Sequence, residues 1–208
     1  GPRIEIGFTV IGNAIGNDLL EKRNLQPGDG LYLTKPIGIG VLLAAHMRSR
    51  CSAADYSQLV EAMLERQHAY ATLAINAGVS AGTDITGFGL AGHLLEMLDA
   101  SQMAATLKLD DIPTLPGSSE AIAQGIQSSL APSNRMAAAQ VAADAPIRKN
   151  PTFDLLFDPQ TCGGLLLGVS DANSHQLNAA IDASTLRPLI RIGTVIASSE
   201  DQKTVTVH

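Results

Sequence analysis

"TDITGFGLAGHLLEM", residues 83–97, sets a carboxylate against an open, glycine-rich turn and then runs into an apolar helical pattern. Leu90, Leu94, Met97 and Leu98 fall on one face at helical spacing, which predicts a helix over 88–99. Gly87 and Gly89 let backbone N–H groups approach a ligand closely, and the helix start directs its positive end at the same point. A phosphate suits that end, but Asp84 alone would repel it. A magnesium ion between carboxylate and phosphate resolves the conflict, because Mg²⁺ uses one or two protein carboxylates and takes its other ligands from phosphate and water. The plainer alternative is that Asp84 or Thr86 caps the helix, worth about 1 kcal/mol. Local chemistry alone favours the cap, since a single acid is a poor metal site.

Around this stretch, helices interleave with strands. "RIEIGFTVIG" begins in extended residues and predicts a strand over 4–10, with Gly1 and Pro2 set aside as a protease-cleavage scar. The immediate start in a strand reads as a chain cut at a domain boundary. The turn Pro27-Gly28-Asp29-Gly30 leads to a strand over 31–34, which Pro36 ends, and "GIGVLLAAHMRSR" continues as a helix over 38–49. Leu59, Met63, Arg66 and Tyr70 keep helical spacing, so one long helix is expected over 55–77, stopped by Gly78. Further strands are expected over 104–109, 164–169, 190–196 and 203–207, the last two as a hairpin-like pair. "SSEAIAQGI" and the ranges 134–143 and 172–183 read as helices. These elements make 3–208 a single domain of α+β class (α/β layers), a mixed sheet covered by helices.

Bulk properties narrow the function. The chain has 208 residues, 45% hydrophobic and 16% charged, an ordinary globular composition. A net charge of −6 with no Lys/Arg run argues against a nucleic-acid partner, and aromatic content of 3% without Trp argues against a base-stacking platform. No apolar run approaches the roughly 20 residues that span a bilayer. Cys51 and Cys162 have no metal-type spacing and read as reduced thiols in a cytoplasmic protein.

A second chemical stretch is "FDPQTCGGLLLGV". Asp158 could face Asp84 and share an ion, although Asp before Pro more often stabilises its own turn. Nothing nearby activates Cys162 as a nucleophile. His93 reads as a packing residue beside the Leu90/Leu94 face. In "SLAPSNRM", Ser133 reads as a helix N-cap after Pro132, with a phosphate-facing role conceivable for Arg135.

Taken together, "GDGLYLTKPIGIGVLLAA", "TDITGFGLAGHL", "LAPSN" and "LFDPQTCGGLLL", in this order, resemble the selenophosphate synthetases (selenide, water dikinases) of the aminoimidazole ribonucleotide synthetase superfamily. The resemblance runs from about Ile6 to Val195. It implies the mixed-sheet carboxy-terminal domain of an enzyme that makes selenophosphate, phosphate and AMP from ATP, selenide and water. It also implies a magnesium–ATP site in which Asp84 is the metal ligand and Thr83, Thr86, Gly87 and Gly89 shape the cofactor-binding loop. Cys162 stands where the family pattern usually has Ser. The family's amino-terminal domain, with its reactive Cys or selenocysteine, Lys and further aspartates, is absent from this chain. The resemblance therefore implies no catalytic residue here, little activity alone, a missing domain as partner, and a cytoplasmic homodimer with no membrane or nucleic-acid partner. Hydrogenase-maturation or purine-synthesis enzymes and a non-catalytic assembly domain are the rival readings, and "GFGLAGH" favours selenium chemistry over the other enzymes.

Overall fold

The computed structural model describes residues 9, 11–12, 19–199 and 204–208. Seven strands form one mixed sheet among them: β1 (Gly30–Leu33), β2 (Ala81–Asp84), β3 (Met103–Leu107), β4 (Val141–Ala143), β5 (Leu165–Val169), β6 (Ile190–Ala197) and β7 (Val205–Val207). Their order is β2-β5-β1-β6-β3-β7-β4. Pairing is antiparallel from β2 through to β3, and β3–β7 and β7–β4 are parallel.

The helices are α1 (Ile39–Met47), α2 (Ala53–Leu64), α3 (His68–Asn76), α4 (Gly89–Ser101), α5 (Ser118–Ala123), α6 (Ala131–Asn134), α7 (Ala145–Lys149), α8 (Pro151–Leu155) and α9 (Asp171–Asp182). They cover both sheet faces. Leu31, Leu33 and Leu166 join the main core with α1 and α4, whereas Leu167 and Val169 pack with Tyr70, Ala74, Leu177 and Ile181 from α3 and α9. Burial on both faces is why "LLLGV" is apolar throughout instead of alternating.

Four expectations are corrected. The helix over 55–77 is broken, because Glu65 is extended (ψ 116°). The break frees Glu65 to pair with Arg187 at 3.0 Å and brings Gln67 to the Thr34 hydroxyl, contacts that an unbroken helix would not make. The helix over 134–143 is a single turn, a 3-10 segment Arg135–Gln140 and then strand β4, where Val141 and Ala143 pair with β7. Ser133 is not its N-cap, since Leu130 occupies that position and the Ser133 hydroxyl donates to the Leu130 carbonyl. The expected hairpin is absent because β3 lies between β6 and β7 and bonds to both. Strand β2, which lacks an alternating pattern, was not expected. The strand expected over 4–10 lies outside the described residues.

Both sheet edges are covered. Glu21 bridges to β2 through Gly82 N–H donating to its carbonyl. At β4, the Arg148 guanidinium donates to the Ala143 and Val141 carbonyls at 2.9 and 3.0 Å.

Helix α1 begins at Gly38, whose φ of 114° suits glycine and which has no side chain to cap the exposed amides. The cap comes from the DPQ turn instead. Gln160 Oε1 accepts from Gly38 and Ile39 N–H, and Asp158 Oδ2 accepts from Val41 N–H, all at 3.1 Å. Gln160 Nε2 donates to Asp158 Oδ2, tying the pair together. Position 40 must be small, because a Cβ there would lie 2.4 Å from the Pro159 carbonyl. Asp158 therefore serves α1, beyond the local turn expected of it.

Burial pushes the Asp158 carboxyl from 3.8 up to about 6, against the opposing pull of the Val41 amide and Gln160. Because the folded value is raised, the contribution to stability is full below about pH 4 and lost as pH rises through about 6. Relative to Asp158→Asn, which does not titrate, wild type should lose roughly 3 kcal/mol between about pH 4 and 7. Urea unfolding of both proteins across that range measures it. A difference that does not change with pH would contradict the burial-driven shift.

Candidate functional site

Asp84 ends β2 opposite Leu165, the first residue of β5. Beyond it, Ile85 N–H donates to the Gly164 carbonyl, and the Thr86 carbonyl accepts from both Gly89 and Gln160 N–H. Exposure alternates through the loop. Thr83 and Ile85 are buried, whereas Asp84 and Thr86 face solvent. The carboxylate is thus presented outward by a strand end whose neighbours are locked.

Neither Asp84 nor Thr86 caps α4: Phe88 is the N-cap residue and no side chain bonds the exposed amides. The backbone does that work, with Ala91 N–H donating to the Leu156 carbonyl at 2.8 Å. Part of the positive helix end is therefore used inside the protein.

The two loop glycines differ. Gly89 has φ 72°, and a Cβ there would meet the Asp158 and Leu156 carbonyls at 2.9 Å. It is a packing glycine, needed where the loop presses on the 156–158 backbone. At Gly87 the nearest atom to an added Cβ is Leu130 Cδ1 at 4.0 Å, so its face is open. A groove of about 820 Å³ runs from Gly87 past Leu130, Ser128 and Thr161 to Met47 and Arg48, within the size range of small-molecule sites.

Motifs far apart in sequence meet here. Asn134 of "LAPSN" donates to the Gly87 carbonyl at 2.8 Å and to the Phe157 carbonyl at 3.0 Å. The Thr34 hydroxyl accepts from Leu165 N–H, and Lys35 Nζ donates to the Cys162 carbonyl at 2.9 Å. Lys35 is only 2% exposed, and burial pushes its pKa down. Cys162 is exposed with φ 55°, and the lysine bonds its carbonyl. Arg135 pairs with Asp154. Asp158, committed to α1 and 1% exposed, does not share an ion with Asp84.

Among the described residues no cluster of three or more His, Cys, Asp or Glu could hold a metal. The donor set at this loop is one outward carboxylate. That fits a magnesium ion whose other ligands are phosphate, water or groups from another domain, and does not fit a metal held by this chain alone.

His93, read from sequence as packing, is buried but bonded: its Nε2 lies 3.0 Å from Thr86 N and 3.1 Å from the Thr86 hydroxyl. Asn134, Gln160 and Lys35 also went unrecognised as supports of the loop. One signal was available: a helix starting at glycine needs acceptors, and "DPQ" carries two.

Residues 26–206 match the family described as AIR synthase related protein, C-terminal domain, and the chain belongs to that family. The selenide, water dikinases of Shewanella sp. (strain W3-18-1) and Shewanella putrefaciens (strain CN-32 / ATCC BAA-453) are each 38% identical over 188 residues, covering 90% of this chain and 53% of the relative. The chain thus spans about half the length of the curated relatives it matches. Among solved structures, hydrogenase maturation protein HypE in complex with ATP aligns with TM-score 0.65 and 15% identity, over 90% of this chain and 49% of that one. Thiamine-monophosphate kinase from Stenotrophomonas maltophilia K279a aligns with TM-score 0.60 and 19% identity, over 90% and 52%. These two share the fold. No helix among the described residues is long and apolar enough to cross a membrane.

The glycines provide a paired test. Gly89→Ala should cost at least about 1–2 kcal/mol from the left-handed backbone alone, more with the carbonyl clash. Gly87→Ala should stay within about 0.5 kcal/mol. Chemical denaturation of both variants measures this, and equal losses would refute the distinction.

Proposed function

We propose that this chain is the carboxy-terminal half of an ATP-dependent selenophosphate synthetase, and that Asp84 contributes a magnesium-binding carboxylate to a nucleotide site completed by a second domain. The observation that carries the reading is the outward carboxylate of Asp84 on a loop whose backbone is tied to two other motifs, through Asn134 and through Gln160 and Gly164. The similarity to selenide, water dikinases over 90% of the chain supplies the reaction class. The ATP complex of a protein with the same fold supports nucleotide use.

In this reading the parent converts ATP, selenide and water to selenophosphate, phosphate and AMP. Magnesium supplies neutralisation of phosphate charge, the main requirement of phosphoryl transfer. Asp84 offers the ion its negative oxygen. Gly87 leaves room for a phosphate to approach the backbone, and Thr86, whose hydroxyl lies 3.1 Å from His93 Nε2, helps shape the loop. Thr83, buried, bonds the Asp84 carbonyl at 3.2 Å, and Gly89 holds the loop against the 156–158 segment. The groove beside Gly87 has space for more of the nucleotide. A homodimer and a cytoplasmic location accompany this reading.

Asp84→Asn tests the metal role. Asn removes the charge that offsets the ion without creating a cavity at an exposed position. Turnover of the full-length protein should be nearly abolished, while the thermal midpoint of this chain moves by no more than about 2 °C. Near-normal turnover would remove Asp84 from the site.

This chain alone should release no AMP from ATP and selenide, because the remaining carboxylates and the nucleophile lie elsewhere in the proposed parent. Selenide-dependent AMP formation by the purified 208-residue chain, followed with labelled ATP, would overturn that division of labour.

A further inference from the structure

We propose that His93 is a positioning residue, whose Nε2 accepts the Thr86 N–H and so fixes the course of the loop that carries Asp84. His93 lies in α4, one turn after Gly89, and is 5% exposed. A backbone N–H can only donate. Its 3.0 Å contact with Nε2 therefore requires that nitrogen to be unprotonated, which places the ring proton of neutral His93 on Nδ1. Nδ1 lies 3.2 Å from Glu96 Oε2, one helical turn further along, where the negative charge favours a proton although the two are not aligned as a hydrogen bond. Glu96 is in turn held by Lys22 Nζ at 2.7 Å, from the segment whose Glu21 covers the edge of β2. The chain Lys22–Glu96–His93–Thr86 thus connects the cover of β2 to the loop at its end.

The charges facing the ring are Glu96, Lys22 and Asp84, and burial outweighs the two acids to lower the pKa of His93. The neutral ring is the form that the Thr86 contact needs. A residue that only filled space could be apolar here. An imidazole adds an acceptor at the one amide between Ile85, tied to Gly164, and the Thr86 carbonyl, tied to Gln160. The chemistry served is that of a carboxylate which must meet a metal–phosphate pair at fixed geometry, where small misplacements are costly. The inference rests on the reading of Asp84 as a metal ligand, and its test separates the two.

Two substitutions are compared in this chain by amide hydrogen exchange and imidazole ¹⁵N NMR. His93→Gln keeps an acceptor near the Nε2 position, and His93→Leu fills the space without one. The ¹⁵N shifts should show Nδ1 protonated and Nε2 bare. Thr86 amide exchange should quicken at least about tenfold in His93→Leu and return close to wild type in His93→Gln, with the β5 amides changing less than about twofold between the variants. Turnover of the full-length protein should follow the same order. The proposal fails if Nε2 carries the proton, if Thr86 exchanges alike in all three proteins, if Gln and Leu quicken it equally, or if turnover ignores the distinction while Asp84→Asn abolishes it. If Thr86 behaves as expected while Asp84→Asn retains turnover, the metal reading falls and the brace on the loop stands.

Discussion

A helix that starts with glycine leaves backbone donors that something must accept, and in this protein the acceptors come from the far end of the chain. Gln160 and Asp158 bond the first amides of α1 across separations of up to 122 residues. That demand organises the neighbourhood. It draws the DPQ turn under α1, places the 156–158 backbone against Gly89, and brings Gln160 N–H to the Thr86 carbonyl. The loop with the outward carboxylate is therefore a by-product of capping as well as a candidate for chemistry.

The division of labour within "TDITGFG" follows from the same packing. Residues facing inward or pressed on backbone (Thr83, Ile85, Gly89) secure the loop, Thr86 is tied through its N–H and carbonyl, and the Asp84 carboxylate and the open face of Gly87 are left for a ligand. Asn134 bonds the Gly87 carbonyl of the loop, and Lys35 bonds the Cys162 carbonyl of the neighbouring turn. The short motifs are thus one contact network read out in pieces along the chain.

What could be read from the sequence depended on how local its cause was. Strands β1, β5 and β6 and helices α1, α4 and α9 follow their own periodicity and were expected within a few residues. The break after Leu64 was not, because apolar spacing continues across it and the partner that Glu65 meets there, Arg187, lies far away in sequence. Strand β2 was missed because "AGTD" has little apolar content; Gly82 is there to let Leu167 approach, which only the paired strand reveals. Val141–Ala143 looked helical beside its alanines until β7 offered a strand to pair with. For the site, the loop and Asp84 were visible as an unusual local pattern. The braces were not, because His93, Asn134 and Lys35 are unremarkable until the fold brings them to an amide or a carbonyl.

The guanidinium of Arg148 carries a consequence of another kind. By occupying the two outward carbonyls of β4, and lying 5.7 Å from the ring of Phe153, it ends the sheet with a side chain where another strand could otherwise add. The opposite edge ends at Glu21. Edges occupied in part like this offer less backbone for strand-to-strand growth, the usual route by which exposed β-edges aggregate or swap partners. A strand seeking to add at β4 would first have to displace this guanidinium, so the margin is guarded by a side chain and not by more backbone.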